Sequence, residues 1–414
     1  MAIPLTMKMY RYRVDAFDIL LGGETTKVLP TQINSIIIEK DFDSDFFPGI
    51  RVNLSLDTEL YHKVIANKTS VRFRMRLQKH IYNRENKLTA KSDVFNDIFC
   101  IYLDEDTPFL DQSSHEESKK VTEVPKSPEH VGGGQQELFL FKEKDIVASQ
   151  KVQNMVLQNI NMSNVIACIL SGAGVNNVLM SPMENTTTYP EVLIPPYTLL
   201  GAIDHLEAHF GFYKNGTVVF FDTDRVYFLR RGSTCTAWVP QEYKKTVFHI
   251  KKTTNPDSLS PGSYDDTENK NIFINVVPND ISMSTPSVLT DVLHGNNVIV
   301  VTPSTGKFDN INPNTVQVGS GSYSVMVDPY ANPYAVSAET YQRNEASYVA
   351  QVTLGDYDIA AITPNKEFMF TFEDASINST YGGSYRISKS ISTFTKQGEE
   401  FSISGQHTFN RIKR

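Results

Sequence analysis

The chain is poor in cysteine and tryptophan, has no excess of positive charge, and contains no long hydrophobic run. Its three cysteines, Cys100, Cys168 and Cys235, are odd in number and widely separated, which excludes a disulfide framework and makes buried free thiols the expectation. A single tryptophan, Trp238, and scattered tyrosines provide no aromatic cluster for a carbohydrate- or receptor-binding surface. The formal net charge is -8, which excludes a general binder of nucleic acid or anionic membrane. The opening MAIPLTMKMYRYRVD lacks the apolar core of a signal peptide, and no later segment reaches membrane-spanning length. Synthesis in a cytoplasm and no stable membrane association are therefore expected, and the sequon Asn185-Thr186-Thr187 then carries no glycan.

At 414 residues, 40% of them hydrophobic, the chain is too long for one ordinary core and implies two or three domains. Residues 1–110 are written as short strands: TQINSIIIEKDF, GIRVNLSLD, SVRFRMRLQKHIYN and, after a polar excursion at 83–92, DVFNDIFCIYLDE. In VRFRMRL, Val71, Phe73, Met75 and Leu77 face one way and Arg72, Arg74 and Arg76 the other. Three arginines on one face have the chemistry to touch phosphates. The alternation instead fits the solvated or partner-facing side of a barrel strand, with DFDSDFF nearby to balance it. Residues 111–136 then turn polar and rich in Ser, Glu, Lys, Pro and Gly, as a mobile linker does. The GGG within them has neither a preceding strand nor a following Lys-Ser/Thr, so it is no phosphate cradle.

Residues 137–231 read as an α/β segment: the strand ELFLF, a polar stretch, and a helix at about Met162–Leu170 stopped by Gly172 and Gly174. Beyond Pro195 and Pro196, Thr198 is an N-cap for a helix carrying Leu200, Ile203, Leu206 and Phe210 and ending at Gly211. Asn215-Gly216 between two β-prone runs predicts a hairpin, and RVYFLRR a further strand. His205 and His209 stand four apart on that helix, the spacing a zinc hydrolase uses. A zinc protease needs glutamate directly after the first histidine, where Leu206 stands, and Glu207 lies about 200° around the helix. No pattern supplies a third ligand, so no catalytic, cofactor-binding or metal-binding residue is expected. A metal-dependent cell-wall hydrolase would rest on that pair alone.

Residues 232–414 return to strands, in KNIFINVVPND, GNNVIVVTPS and a closing hairpin that turns at 396–398, around a loop-rich span at 303–335. AETYQRNEASYVAQVTLGDYDIAAITPNKEFMFTFED carries a short helical pattern, a strand, a turn and a strand.

Four segments, in order, resemble the central baseplate hub protein of contractile-tailed bacteriophages, a fold shared with the hub of type VI secretion spikes and with phage late-control proteins. They are the N-terminal strand region, LLGAIDHLEAHFGFYKNGTVVFFDTDRVYFL, HGNNVIVVTPSTG, and the block from RNEASYVAQV to SGQHTF, with its Thr363-Pro364-Asn365-Lys366 turn. The resemblance implies an α+β, mainly β fold in which two tail-tube-like β-barrel domains, 1–110 and 232–414, flank the smaller α/β segment. It further implies a non-enzymatic virion protein of the tail baseplate. Three copies would form a ring that joins the tail tube protein to the central spike protein, beside other baseplate proteins, with DNA only in transit. A receptor- or carbohydrate-binding tail protein is the alternative.

Overall fold

Alternating apolar and polar residues shape the described part of the chain, which in this computed structural model comprises residues 6–101, 136–232, 245–250, 262–266, 271–276, 278–284, 296–299, 322–324, 334 and 348–412. The first strands are β1 (Thr6–Leu21), β2 (Glu24–Lys27), β3 (Ile33–Asp41) and β4 (Gly49–Leu54). Helix α1 (Thr58–Ala66) follows, its first turn closed by Asp57, whose carboxylate accepts from the Leu60 amide at 2.9 Å. Then come β5 (Arg72–Tyr82), β6 (Leu88–Ile101), β7 (Gln136–Lys142) and α2 (Glu143–Gln150). The central part holds β8 (Val152–Asn161), α3 (Met162–Ala173), β9 (Val178–Met180), β10 (Thr188–Thr198), α4 (Leu199–His209), β11 (Thr217–Phe221) and β12 (Val226–Arg230). The last part holds β13 (Lys245–Ile250), β14 (Gly262–Asp266), β15 (Asn271–Val276), β16 (Ile281–Ser284), β17 (Asn296–Ile299), β18 (Ser322–Ser324), β19 (Val349–Gly355), β20 (Glu367–Phe372), α5 (Ala375–Tyr381), β21 (Gly383–Gln397) and β22 (Glu400–Arg411).

Eight strands close a barrel in the order β21-β3-β4-β7-β6-β5-β1-β22, and β22 returns to β21. Six of them come from the first part of the chain and two from its end, so the barrel is complete only when the closing hairpin folds back. That hairpin pairs from Tyr385↔Arg411 to Gln397↔Glu400 and turns at Gly398, whose φ of 69° suits glycine. Further pairings join β14 to β1, so β1, β14, β15, β13, β20, β21 and β22 form a second closed circuit that shares three strands with the first. The fold is α+β and mainly β. Residues 137–142, grouped with the α/β segment from sequence, are β7 of the barrel, because Leu138 and Leu140 occupy the phase that faces its interior.

Between β7 and β12 lies a second core, formed by α3 and α4 on the two-stranded sheet β8–β10 and the sheet β11-β12-β9. The latter sheet serves both cores, since side chains alternate faces along a strand. Val218, Phe220, Tyr227 and Leu229 join the barrel core, whereas Phe221, Val226 and Phe228 join the α/β core.

Several details depart from the sequence reading. The polar stretch before α3 is α2 and β8, which the pattern had left as neither helix nor strand. Asn215-Gly216 does not turn a hairpin. Phe212 and Tyr213 before it are buried, with the Tyr213 hydroxyl donating to the Ser181 carbonyl at 2.7 Å, and the strands that pair are β11 and β12 around Asp222–Arg225. Cys168 is exposed on α3 rather than buried, and Cys100 is half-buried; both are free thiols. The linker at 111–136 (apart from Gln136), the GGG, Cys235, Trp238, the helical pattern before Tyr348 and most of 303–335 lie outside the described residues.

Candidate functional site

The histidine pair lies on α4, which starts as expected: the Thr198 hydroxyl accepts from the Gly201 amide at 3.3 Å, and Leu199, Ala202, Ile203 and Leu206 are buried. The two imidazole centroids lie 4.2 Å apart with the rings tilted by 41°, and the Tyr197 ring lies 5.4 Å from His205. The His209 ring is held by backbone, with its Nδ1 2.8 Å from the His205 carbonyl. Burial, then the neighbouring His209, lowers the His205 pKa, which opposes a charged pair. Glu207 points elsewhere, accepting from the Thr217 hydroxyl at 2.6 Å. Among the described residues no group of three His, Cys, Asp or Glu has the arrangement to hold a metal ion. The asparagine of the sequon is built into the core: Asn185 Nδ2 donates to the Phe210 and Gly211 carbonyls, both at 2.9 Å, fixing the exit of α4.

The arginine row of β5 lies where the alternation places it, with Val71, Phe73, Met75 and Leu77 all buried opposite it. Its partners differ. Arg72 pairs with Glu143, Arg74 with Asp18 at 3.7 Å, and Arg76 with Asp15 at 3.2 Å and Asp93 at 3.0 Å. The acidic DFDSDFF stretch is committed otherwise, since Asp43 binds Arg231 and Arg386. The row is therefore a neutralised strip, and it offers a phosphate no unpaired cation.

A set of lysines that the sequence reading did not single out does more. Lys40, Lys79 and Lys142 each sit at the end of an apolar phase, after Ile36 and Ile38, after Met75 and Leu77, and after Leu138 and Leu140. A charge on the buried phase of a strand is the signal that would have found them. Lys40 Nζ meets Asp222 of the β11–β12 turn at 2.6 Å, with both side chains almost fully buried. Lys79 Nζ meets Asp358 at 2.8 Å, and Asp358 also accepts from the Ala360 amide. Lys142 Nζ reaches Asp97 at 3.0 Å and donates to the Thr223 carbonyl. Lys40, Lys79 and Asp222 border a cavity of about 280 Å³ with Asp93, Thr223 and Asn365. Beside Lys142, burial raises the Asp145 carboxyl to about 6 against the pull of Lys142 and Lys144.

These pairs fasten elements distant in sequence. The barrel seam between β1 and β22 has a single backbone pairing, Tyr12↔Phe401. Side chains reinforce it: Tyr12 donates to the Tyr357 carbonyl at 3.1 Å and accepts from the Ile359 amide at 3.1 Å. Glu400 receives the Tyr82 hydroxyl at 2.7 Å and lies 2.7 Å from His80 Nδ1. Above the seam, the His407 ring is wholly enclosed, with Nδ1 3.0 Å from Ser390 Oγ, and burial lowers its pKa to about 3. The chemistry of these groups is the satisfaction of buried charge, which holds the barrel shut.

A mainly β chain with an eight-stranded barrel closed by its own two ends is the class that fold and seam define. The chain belongs to the bacteriophage PBS1 gene 109 protein family, whose model matches residues 3–412. No curated protein matches it. Solved structures that it resembles include a tail protein from Neisseria meningitidis, at 8% identity and a TM-score of 0.47, covering 97% of this chain and 96% of that one. A 43 kDa tail protein of prophage MuSo2 from Shewanella oneidensis has 8% identity and a TM-score of 0.46, covering 95% and 98%. An E. coli component of the type VI secretion system has 9% identity and a TM-score of 0.40, covering 92% and 74%.

Proposed function

We propose that this phage-family chain is a structural, non-enzymatic protein of the tail baseplate, a hub whose copies form a homotrimeric ring between the tail tube protein and the central spike protein. The observation that carries the reading is the pair of closed strand circuits sharing β1, β21 and β22. Two barrel-like units fixed to each other in one chain would let three chains offer six similar units, matching a sixfold tube to a threefold spike. A ring of this kind needs heterologous contacts that close after three steps. On this reading the two circuits are the two tube-like units, each drawing strands from both ends of the chain, the α/β part stands beside them, and DNA passes through the lumen in transit. An acidic chain suits such a conduit, because it does not retain a polyanion.

Axial electron-microscopic images of purified tails, with the chain located by a fused tag, test the reading. Three copies around an open channel of pseudo-sixfold outline are expected; absence of the chain from the particle, or a copy number that is not a multiple of three, overturns it.

A further inference from the structure

The β8–β10 ribbon differs from every strand of the barrel. It is a two-stranded sheet on its own, with α3 and α4 packed on one face. The other face carries Val152, Val156, Leu193 and Tyr197, and both Val156 and Leu193, which sit opposite each other, are more than half exposed. Its two outer edges are unequal. On β10, Pro195 and Pro196 bring no amide donor. Ile194 pairs with Met155 next to Pro195, whose missing amide makes Ile194–Met155 the hydrogen-bonded pair, so Leu193–Val156 is a non-hydrogen-bonded pair and Val156 directs its own N–H and C=O to the open side of β8. Among the described residues no partner meets the backbone of Asn154, Val156 or Gln158.

The sequence of that open edge has two unusual properties. No Asp, Glu, Lys, Arg or His occurs from Val152 to Met183, so the edge has none of the charges or prolines that keep exposed strands apart. Around Val156 it also reads the same in both directions by side-chain class: Gln153-Asn154-Met155 on one side, Leu157-Gln158-Asn159 on the other. An antiparallel copy centred on Val156 therefore sets Val156 against Val156, Asn154 against Gln158, and Met155 against Leu157. Apolar meets apolar and amide meets amide.

We infer that β8 is a self-recognition edge, pairing antiparallel with β8 of a second copy about a two-fold axis at Val156. A two-fold contact requires a self-complementary patch, and this palindrome supplies one. At its centre the two Val156 residues exchange both backbone hydrogen bonds, and the Val156 and Leu193 side chains of both copies form one continuous apolar strip. An uncharged edge also meets its copy without like-charge repulsion, although each chain carries a net charge of -8. The contact is isologous, so it is distinct from the heterologous contacts of the proposed ring and joins two free chains or two rings.

The test uses the full chain with Cys168→Ser, to remove the exposed thiol of α3. Val156→Cys places a cysteine on the axis, where paired Cα atoms about 5.5 Å apart permit a disulfide. Mild oxidation is expected to give at least about tenfold more disulfide-linked dimer for Val156→Cys than for Asn154→Cys or Gln158→Cys alone. The last two are expected to cross-link when mixed, since they face each other across the axis. In light scattering, Val156→Pro, which removes an outward amide without touching β8–β10 hydrogen bonds, is expected to halve the particle mass with unchanged circular dichroism. Equal cross-linking at all three positions, none at Val156, or a mass unaffected by proline overturns the inference. Failure here leaves the hub reading standing, because that reading is judged on the copy number in tails.

Discussion

The barrel and the β8–β10 ribbon solve the same problem in opposite ways. Both are antiparallel β-structure with one apolar face buried, but the barrel returns each strand to a neighbour, whereas among the described residues the ribbon stops after two strands and leaves the β8 edge open. Where the barrel has a weak seam, at the single Tyr12↔Phe401 pairing, buried polar groups reinforce it. Where the ribbon has a free edge, at β8, the side chains are uncharged and the apolar ones stay exposed. The difference teaches that buried ionisable pairs accompany internal closure in this molecule, whereas the edge proposed for self-recognition is uncharged.

The largest effect is expected at the seam. Lys79→Met leaves the Asp358 carboxylate fully buried without its cation, and is expected to lower unfolding free energy by about 3–5 kcal/mol in denaturant titration. By comparison Lys63→Met, which breaks the exposed pair with Glu24, is expected to cost no more than about 0.5 kcal/mol. Equal losses at the two positions would show that the seam does not depend on its buried pair.

A smaller effect concerns the junction of barrel and α/β core, at Asp145. Burial raises its carboxyl from 3.8 to about 6 in the folded chain, so the fold favours the protonated form. The stability this group contributes is then full below about pH 4 and is lost as the pH rises through about 6. Asp145→Asn is therefore expected to be more stable than the parent at pH 7, by on the order of 2 kcal/mol, with the gap closing on acidification. Melting both proteins between pH 4 and 7 checks the sign; a gap that widens at low pH would contradict it. His407 works the other way in both proteins, since a depressed histidine loses stability as the pH falls below 6.5, and so it cancels from the difference.

The smallest effect is expected on the ribbon. Leu193→Thr removes apolar surface that is already in solvent in one copy, and in the Val156→Pro background, where copies are expected to stay apart, it is expected to change the melting by less than about 0.5 kcal/mol. A loss comparable to that at Lys79 would mean that this face is packed rather than open.

Much of the fold was legible where one period dominates. The Val71-to-Leu77 alternation, the Thr198 cap and the closing hairpin each appear where the residues place them. What escaped was long-range or mixed. The barrel depends on β21 pairing with β3, more than 300 residues away, which no local pattern encodes. VQNMVLQNIN puts apolar residues at 152, 155, 156 and 160, a helical spacing from which only Leu157 departs, rather than in two-residue alternation, and so no strand is readable at β8. The phase error on Lys40, Lys79 and Lys142 was readable but their aspartates were not, because each partner comes from another element. His205 and His209 were correctly separated from Glu207 by helix geometry alone.

The central claim is that closed barrels in each chain assemble by threes into a hub ring. Cryo-electron microscopy of the purified tail, resolved at its tube–spike junction without imposed symmetry, tests this most directly. The account predicts three copies of this chain around the channel, each contributing two β-barrel units to a pseudo-sixfold layer. A chain found outside that junction, or present there in a number other than three per ring, would contradict it.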